Sequence, residues 1–86
     1  ICAIAEAAGI SVIPHGGGNT PYGQHACYAL PAIPWAECFI ASAPGVPLEQ
    51  AARLPGMAVP NNGKLIPSNA PGFGVDIDGS TLKPIL

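Results

Sequence analysis

Residues 12–21, VIPHGGGNTP, restrict the backbone more than any other part of the chain. The β-branched run at 11–14, flanked by glycines, predicts a short buried strand that ends at His15. Thr20 followed by Pro21 is typical of a helix start, because threonine can cap the first turn and proline needs no N–H there. The helix should continue until Pro31. The stretch therefore predicts a strand, a glycine turn and a helix in succession.

The neighbouring segments extend this alternation. An apolar face at helical spacing is formed by Ile1, Ile4, Ala5 and Ala8. Gly9 then supplies the residue that commonly follows a helix C-terminus. Residues 35–41, WAECFIA, predict a second buried strand that is interrupted by one acid, Glu37. The order helix, strand, helix, strand predicts an α/β fold with a parallel sheet, and two parallel strands cannot stand alone.

The pattern changes after Ser42. Residues 47–56, PLEQAARLPG, offer one short helical segment. Asn62-Gly63 lies between two apolar runs and predicts a β-hairpin. Residues 70–79, APGFGVDIDG, suggest a final short strand with turns that glycine permits.

The composition limits the partners of the chain. Of its 86 residues 49% are hydrophobic and only 9% charged, so we expect apolar faces to contact other parts of a larger protein. The chain also begins at Ile1 inside a predicted helix, which we interpret as a fragment. A net charge of -2 with three basic residues argues against nucleic acid. No apolar run approaches the roughly 18 residues of a membrane-spanning helix, so we expect no membrane partner.

Three widely spaced cysteines, Cys2, Cys27 and Cys38, do not form a disulfide framework and suit a reducing, cytoplasmic compartment. A metal cluster built from these cysteines and the two histidines fails on spacing. We therefore expect the cysteines to act as small buried apolar residues, and we assign no metal ligand in the chain.

His-Gly-Gly-Gly after a strand is also the oxyanion-hole motif of one esterase branch. That enzyme needs a serine in Gly-x-Ser-x-Gly, and Ser42, Ser68 and Ser80 lack the flanking glycines. An esterase fragment is therefore the weaker hypothesis.

His15 and Glu37 could both be purely structural: His15 could cap a strand end, and Glu37 could be paired locally. Their positions in the chain instead favour a functional role for both residues. Ligands bind at the C-terminal ends of parallel strands, and the glycines after His15 allow a substrate to approach the backbone. A lone carboxylate in an apolar strand is costly to bury unless it is paired or used. We predict His15 and Glu37 as catalytic residues.

The chain resembles the C-terminal end of enolase-superfamily proteins. Three segments in this order carry the resemblance: VIPHGGG, WAECF and VPNNGKLIPSNAPGFGVDI. The closer resemblance is to the acid-sugar, L-rhamnonate-type dehydratases of the mandelate racemase branch. It implies the last part of a TIM-type (β/α) barrel. Residues 1–45 would hold the last two strands with their helices. Residues 46–86 would form a hairpin segment that packs on the barrel and returns to a capping domain.

The resemblance also implies chemistry. His15 would be the general base that removes the proton α to a sugar carboxylate, and Glu37 would stabilise the enediolate by a hydrogen bond. Gly16 and Gly17 would bind substrate by keeping the floor of the site clear. Loss of water then gives a 2-keto-3-deoxy acid. Mg²⁺ would be held by acidic residues upstream of Ile1, and the parent protein would be a homo-oligomer.

The remaining acids, Glu6, Glu49, Asp76 and Asp78, are interpreted as surface residues. His25 is interpreted as a packing histidine. Two alternatives stay open at this point: a racemase or lactonising relative with the same barrel end, and a small non-catalytic binding module that folds alone.

Overall fold

The computed structural model describes residues 1–39, 41–51 and 54–85. It contains two α-helices, α1 at Cys2–Ala7 and α2 at Pro21–Ala29. Single 3-10 turns lie at Gly17–Asn19, Leu48–Gln50 and Gly79–Thr81. Over these described ranges the backbone forms no β-strand.

Helices form at both positions predicted in the first half, although α2 ends at Ala29, two residues before Pro31. Gly9 follows α1 with φ +66°, and the N–H of Ile10 donates to the carbonyl of Ala5 at 2.9 Å, which closes the helix end. At the start of α2, the Thr20 hydroxyl accepts from the N–H of Gly23 at 3.2 Å and Pro21 occupies the first helical position. Local sequence signals thus determine both helices.

The short helical segment predicted within 47–56 forms as a 3-10 turn at Leu48–Gln50. In the described residues it ends there, since Ala51 has extended backbone with ψ 154°. Ala52 and Arg53 lie outside the described residues.

The strands predicted at 11–14, 35–41 and 70–79 are not formed as hydrogen-bonded strands in the described part of the chain, which omits Ile40. The backbone bonds of these extended segments go to loops instead. The N–H of Val12 donates to the carbonyl of Ala32 at 2.8 Å, and the carbonyl of Glu37 accepts from the N–H of Gly18 at 2.8 Å. A strand requires a neighbouring strand, and these segments do not pair with one another.

The predicted hairpin turn at Asn62-Gly63 is confirmed. Both residues have positive φ, +48° and +72°. Asn61 and Lys64 exchange two backbone hydrogen bonds of 2.9 and 3.0 Å across the turn. This is a two-residue type I′ turn closed by a single bridge.

The apolar side chains are largely exposed. The buried hydrophobic residues of the described chain are Ala5, Ala32 and Ile33. On the predicted face of α1, Ala5 is buried, whereas Ile4 is 75% exposed because no described element covers it. This exposure agrees with the expectation that apolar faces meet other parts of a larger protein. No helix in the described ranges is long and apolar enough to cross a membrane.

Helix α2 packs closely on the turn Gly17–Asn19, and Gly23 makes the contact possible. A Cβ at Gly23 would clash with the carbonyl oxygen of Gly17 and lie 2.7 Å from the hydroxyl of Thr20. The glycine that weakens α2 by propensity is therefore required by packing.

We expect Gly23→Ala to destabilise the full-length protein by about 1–3 kcal/mol, because overpacking outweighs the gain in helix propensity. The measurement is the urea midpoint followed by circular dichroism. Gly79→Ala is the matched control, since a Cβ there meets no atom within 4 Å. A higher midpoint for Gly23→Ala would contradict the packing role.

Candidate active site

The glycine turn, residues 15–19, brings His15 next to Glu37. It reverses the chain because Gly16 adopts φ +63° and the N–H of Gly17 donates to the carbonyl of Pro14 at 2.9 Å. A positive φ of this kind is strained for residues with a side chain. The residues predicted as catalytic, 22 positions apart in sequence, therefore become neighbours.

His15 and Glu37 form a direct contact. Nδ1 of His15 lies 3.1 Å from Oε2 of Glu37, and the two side chains are 90% and 37% exposed. Because an ionised carboxylate only accepts hydrogen bonds, this contact favours the form of the ring that carries its proton on Nδ1. In the neutral ring Nε2 is then the nitrogen with the lone pair. The pair is thus arranged to leave Nε2 for proton transfer.

Glu37 is held by the glycine turn at two points. Its Oε2 accepts from the N–H of Gly16 at 2.7 Å, and its backbone carbonyl accepts from the N–H of Gly18 at 2.8 Å. The carboxylate is therefore partnered by a backbone donor as well as by His15. The sequence predicted a lone acid that must be paired or used, and the structure pairs it.

Phe39 adds an aromatic wall beside His15. The two rings meet edge to face, with centroids 5.2 Å apart. The backbone of Phe39 is fixed by the side chain of Asn19, which donates to the Phe39 carbonyl at 3.1 Å and accepts from the Phe39 N–H at 2.8 Å. The Asn19 amide thus binds both backbone groups of Phe39, which in a sheet would bond a neighbouring strand.

Sequence reasoning missed three residues around this pair, Asn19, Gln24 and Phe39. Gln24 is buried in α2 at 3% exposure, where it bonds the glycine turn. A glutamine in a helix next to a histidine gives no distinct signal, because polar residues there are usually solvated. Asn19 directly after three glycines was the one available hint, since asparagine often bonds nearby backbone.

The two glycines predicted to bind substrate differ in their surroundings. Gly16 is half-buried, and a Cβ there would have ordinary contact with the ring of Phe39. Gly17 is buried, and a Cβ would lie 2.9 Å from Pro14 and 3.2 Å from the Cys27 sulfur. Packing alone therefore accounts for Gly17, while contact of either residue with substrate stays a prediction.

The backbone N–H groups of the glycine turn are engaged internally. Gly16 and Gly18 donate to Glu37, and Gly17 donates to Pro14. An oxyanion hole needs N–H groups directed at an empty position near the nucleophile. The turn offers none in this conformation, which further weakens the esterase hypothesis.

The second histidine lies elsewhere, in aromatic packing. The His25 ring meets Tyr28 at 5.7 Å and Phe73 at 5.2 Å between centroids, both edge to face. This contact joins α2 to the C-terminal segment, as expected for a packing histidine. The four acids interpreted as surface residues are exposed: Glu6, Glu49, Asp76 and Asp78. The Ser80 side chain and N–H bind Asp78 and lower the pKa of its carboxyl.

A mostly apolar groove of about 550 Å³ runs between α2 and the hairpin, and its lining does not include His15 or Glu37. Burial is the main cause that raises the pKa of the Tyr28 hydroxyl. The thiols of Cys27 and Cys38, when ionised, raise this pKa further. Burial also raises the pKa of the Cys27 thiol, so this thiol stays protonated at neutral pH and is a poor nucleophile.

Among the described residues, no group of three or more His, Cys, Asp or Glu side chains could hold a metal.

Comparison with known proteins shows the family of the chain. Over 84 residues the chain is 36% identical to a protein from Caldivirga maquilingensis named "Putative L-rhamnonate dehydratase". The match covers 95% of this chain and 21% of that relative, so the chain spans about a fifth of its length. No solved structure matches significantly.

The family model described as "Enolase C-terminal domain-like" matches residues 1–81, which include the glycine turn, α2 and Glu37. Domains of this family have a TIM-barrel type of fold. The resemblance predicted from the sequence is therefore confirmed: the chain belongs to the enolase C-terminal domain-like family.

Proposed function

We propose that the protein containing this chain is an acid-sugar dehydratase of the L-rhamnonate type, in which His15 is the general base. The observation that carries the proposal is the His15–Glu37 contact, with Nδ1 on the carboxylate at 3.1 Å and the imidazole exposed. Family membership and the name of the Caldivirga relative support the reaction class. The small-molecule partner is a sugar acid. Cytoplasmic location and a homo-oligomeric parent remain predictions.

The proposed reaction starts at the carbon next to the substrate carboxylate. Nε2 of His15 takes the proton from this carbon, and the electron pair of the C–H bond enters the enediolate. Imidazole suits this step because it exchanges protons near neutral pH. The hydroxyl on the β-carbon then leaves with a proton returned by Nε2, so the substrate loses one water. The resulting enol tautomerises to a 2-keto-3-deoxy acid.

Glu37 has a different role in this proposal from the one that the resemblance implied. Because its Oε2 contacts both Nδ1 of His15 and the N–H of Gly16, it orients the imidazole and stabilises the ring when the proton is taken. A direct hydrogen bond from Glu37 to the enediolate would require a second, protonated oxygen. Orientation of His15 is the role that the contacts support.

Mg²⁺ is the cofactor that the family resemblance implies, and it would stabilise the enediolate. The described residues do not fit its site, since they bring no three ligand groups together. We therefore expect the ligands in other segments of the full-length protein, and no step above depends on the metal.

A racemase or lactonising relative is the alternative within the superfamily. It shares α-proton removal but not loss of the β-hydroxyl. Incubation of the protein with sugar acids in D₂O separates the two, because a dehydratase releases a keto acid whereas a racemase only exchanges the α-proton. A non-catalytic module is disfavoured, since the buried apolar residues in the part of the chain that the structure describes, Ala5, Ala32 and Ile33, are too few to stabilise an independent domain.

We expect His15→Asn to lower kcat of the full-length protein on its sugar acid by about 10³-fold, because general base catalysis is lost. Turnover is measured as the amount of keto acid formed, which is detected as its semicarbazone after reaction with semicarbazide. His25→Asn is the matched control, since that ring packs on Tyr28 and Phe73, and its turnover should stay within about threefold of the wild type. Turnover retained by His15→Asn would exclude His15 as the base.

We expect Glu37→Gln to lower kcat by about 10-fold, less than His15→Asn, because the amide oxygen still accepts hydrogen bonds but carries no charge. Glu49→Gln makes the same change on an exposed residue and should have no effect. Unchanged kinetics for Glu37→Gln would reduce Glu37 to a structural residue.

A further inference from the structure

Gln24 is a buried polar side chain with two backbone partners. It is 3% exposed, and its Nε2 donates to the carbonyl of Gly18 at 2.9 Å and to the carbonyl of Ala58 at 2.8 Å. A primary amide has two N–H donors, so both are used. The single Nε2 atom therefore joins the glycine turn to a segment that lies 34 positions after Gln24 in the sequence.

Gly18 connects Gln24 to the candidate catalytic pair. The carbonyl of Gly18 accepts from Gln24, while its N–H donates to the carbonyl of Glu37 at 2.8 Å. A Cβ at Gly18 would lie 2.9 Å from both the Cys38 sulfur and the Glu37 carbonyl oxygen. The turn is therefore packed directly on the residue 37 backbone, and displacement of Gly18 must displace Glu37.

Loss of the amide would remove the donor to the half-buried Ala58 carbonyl and would leave the Gly18 carbonyl with the longer, 3.5 Å bond from the Cys38 Sγ. A carbonyl that loses its donor in a partly water-excluded place is destabilising, and rearrangement of the turn allows it to reach solvent or another donor. Such a rearrangement acts on Gly18 directly, because Gly18 is the residue of the turn that accepts from Gln24. Its consequence is a changed distance between Glu37 and His15.

We propose that Gln24 is a positioning residue for the His15–Glu37 pair and that it ties this pair, through Ala58, to the segment 46–86. The proposal rests on the proposed function, in which His15 is the base. The Gln24 hydrogen bonds go to the carbonyls of Gly18 and Ala58 and not to the His15 ring or the Glu37 carboxylate, so Gln24 acts on the pair through Gly18. A purely structural glutamine would instead lower stability without a specific effect on this pair.

A double-mutant cycle on the full-length protein separates these roles. Gln24→Met keeps the side-chain length but removes both N–H donors, and we expect kcat to fall about fivefold to 10-fold, no more than for Glu37→Gln, with KM within about threefold. In a Glu37→Gln background the same change should lower kcat by less than about threefold, because both substitutions disrupt one unit. Additive effects on kcat would overturn the proposal.

Gln50→Met is the matched control, because it makes the same change at an exposed residue, and it should leave kcat and KM unaltered. Gln24→Glu provides a second variant if Gln24→Met does not fold. Its side chain keeps the size of glutamine, but an ionised carboxylate cannot donate to either carbonyl. It should reproduce the loss of kcat, and normal turnover would again overturn the proposal.

Hydrogen–deuterium exchange supplies a readout that does not depend on turnover. In Gln24→Met we expect faster exchange at residues 16–19, where the N–H groups of Gly16 and Gly18 bond Glu37, and unchanged exchange in α1. Unchanged exchange at 16–19 would overturn the proposal. If the wild-type protein turns over no sugar acid while exchange at 16–19 responds as expected, the proposed function fails and the link from Gln24 to Glu37 stands.

Discussion

The structure depends on the way the glycine turn binds Glu37. The N–H of Gly16 donates to the Glu37 carboxylate at 2.7 Å, and the N–H of Gly18 donates to the Glu37 backbone carbonyl at 2.8 Å. Side chain and main chain of one residue are thus fixed by a turn that is itself only a few residues long. His15 immediately precedes these glycines, so the same turn also sets where the imidazole lies. The proximity of His15 and Glu37 is a direct product of this backbone arrangement.

The glycines of this turn serve different purposes. Gly16 provides a positive φ, whereas Gly17 and Gly18 allow close approach of Pro14, Cys27, Cys38 and the Glu37 backbone. Gly23 completes the set from the opposite side, where α2 approaches the Gly17 carbonyl. Conformational freedom explains one of the four positions, and the absence of a side chain explains the others.

The sequence allowed prediction of features that depend on near neighbours. The Thr20-Pro21 start of α2, the Gly9 end of α1 and the Asn62-Gly63 turn were all predictable, because each is determined by a few adjacent residues. The proximity of His15 and Glu37 followed from strand order and from the family resemblance. The strands themselves could not be confirmed, since a strand exists only with its partner. Gln24 was missed because its two carbonyl partners come from distant backbone, which no local pattern encodes.

The Gln24 contacts also have a consequence for the order of assembly. Its bond to Gly18 closes a loop of 6 residues, whereas its bond to Ala58 closes one of 34. Because the entropic cost of loop closure grows with loop length, the turn and α2 can associate before the distant segment docks. The bond from Gln24 to Ala58 then forms in molecules whose turn already holds the Gln24 amide in place. Gln24 thus links a locally folded unit to the completion of the domain.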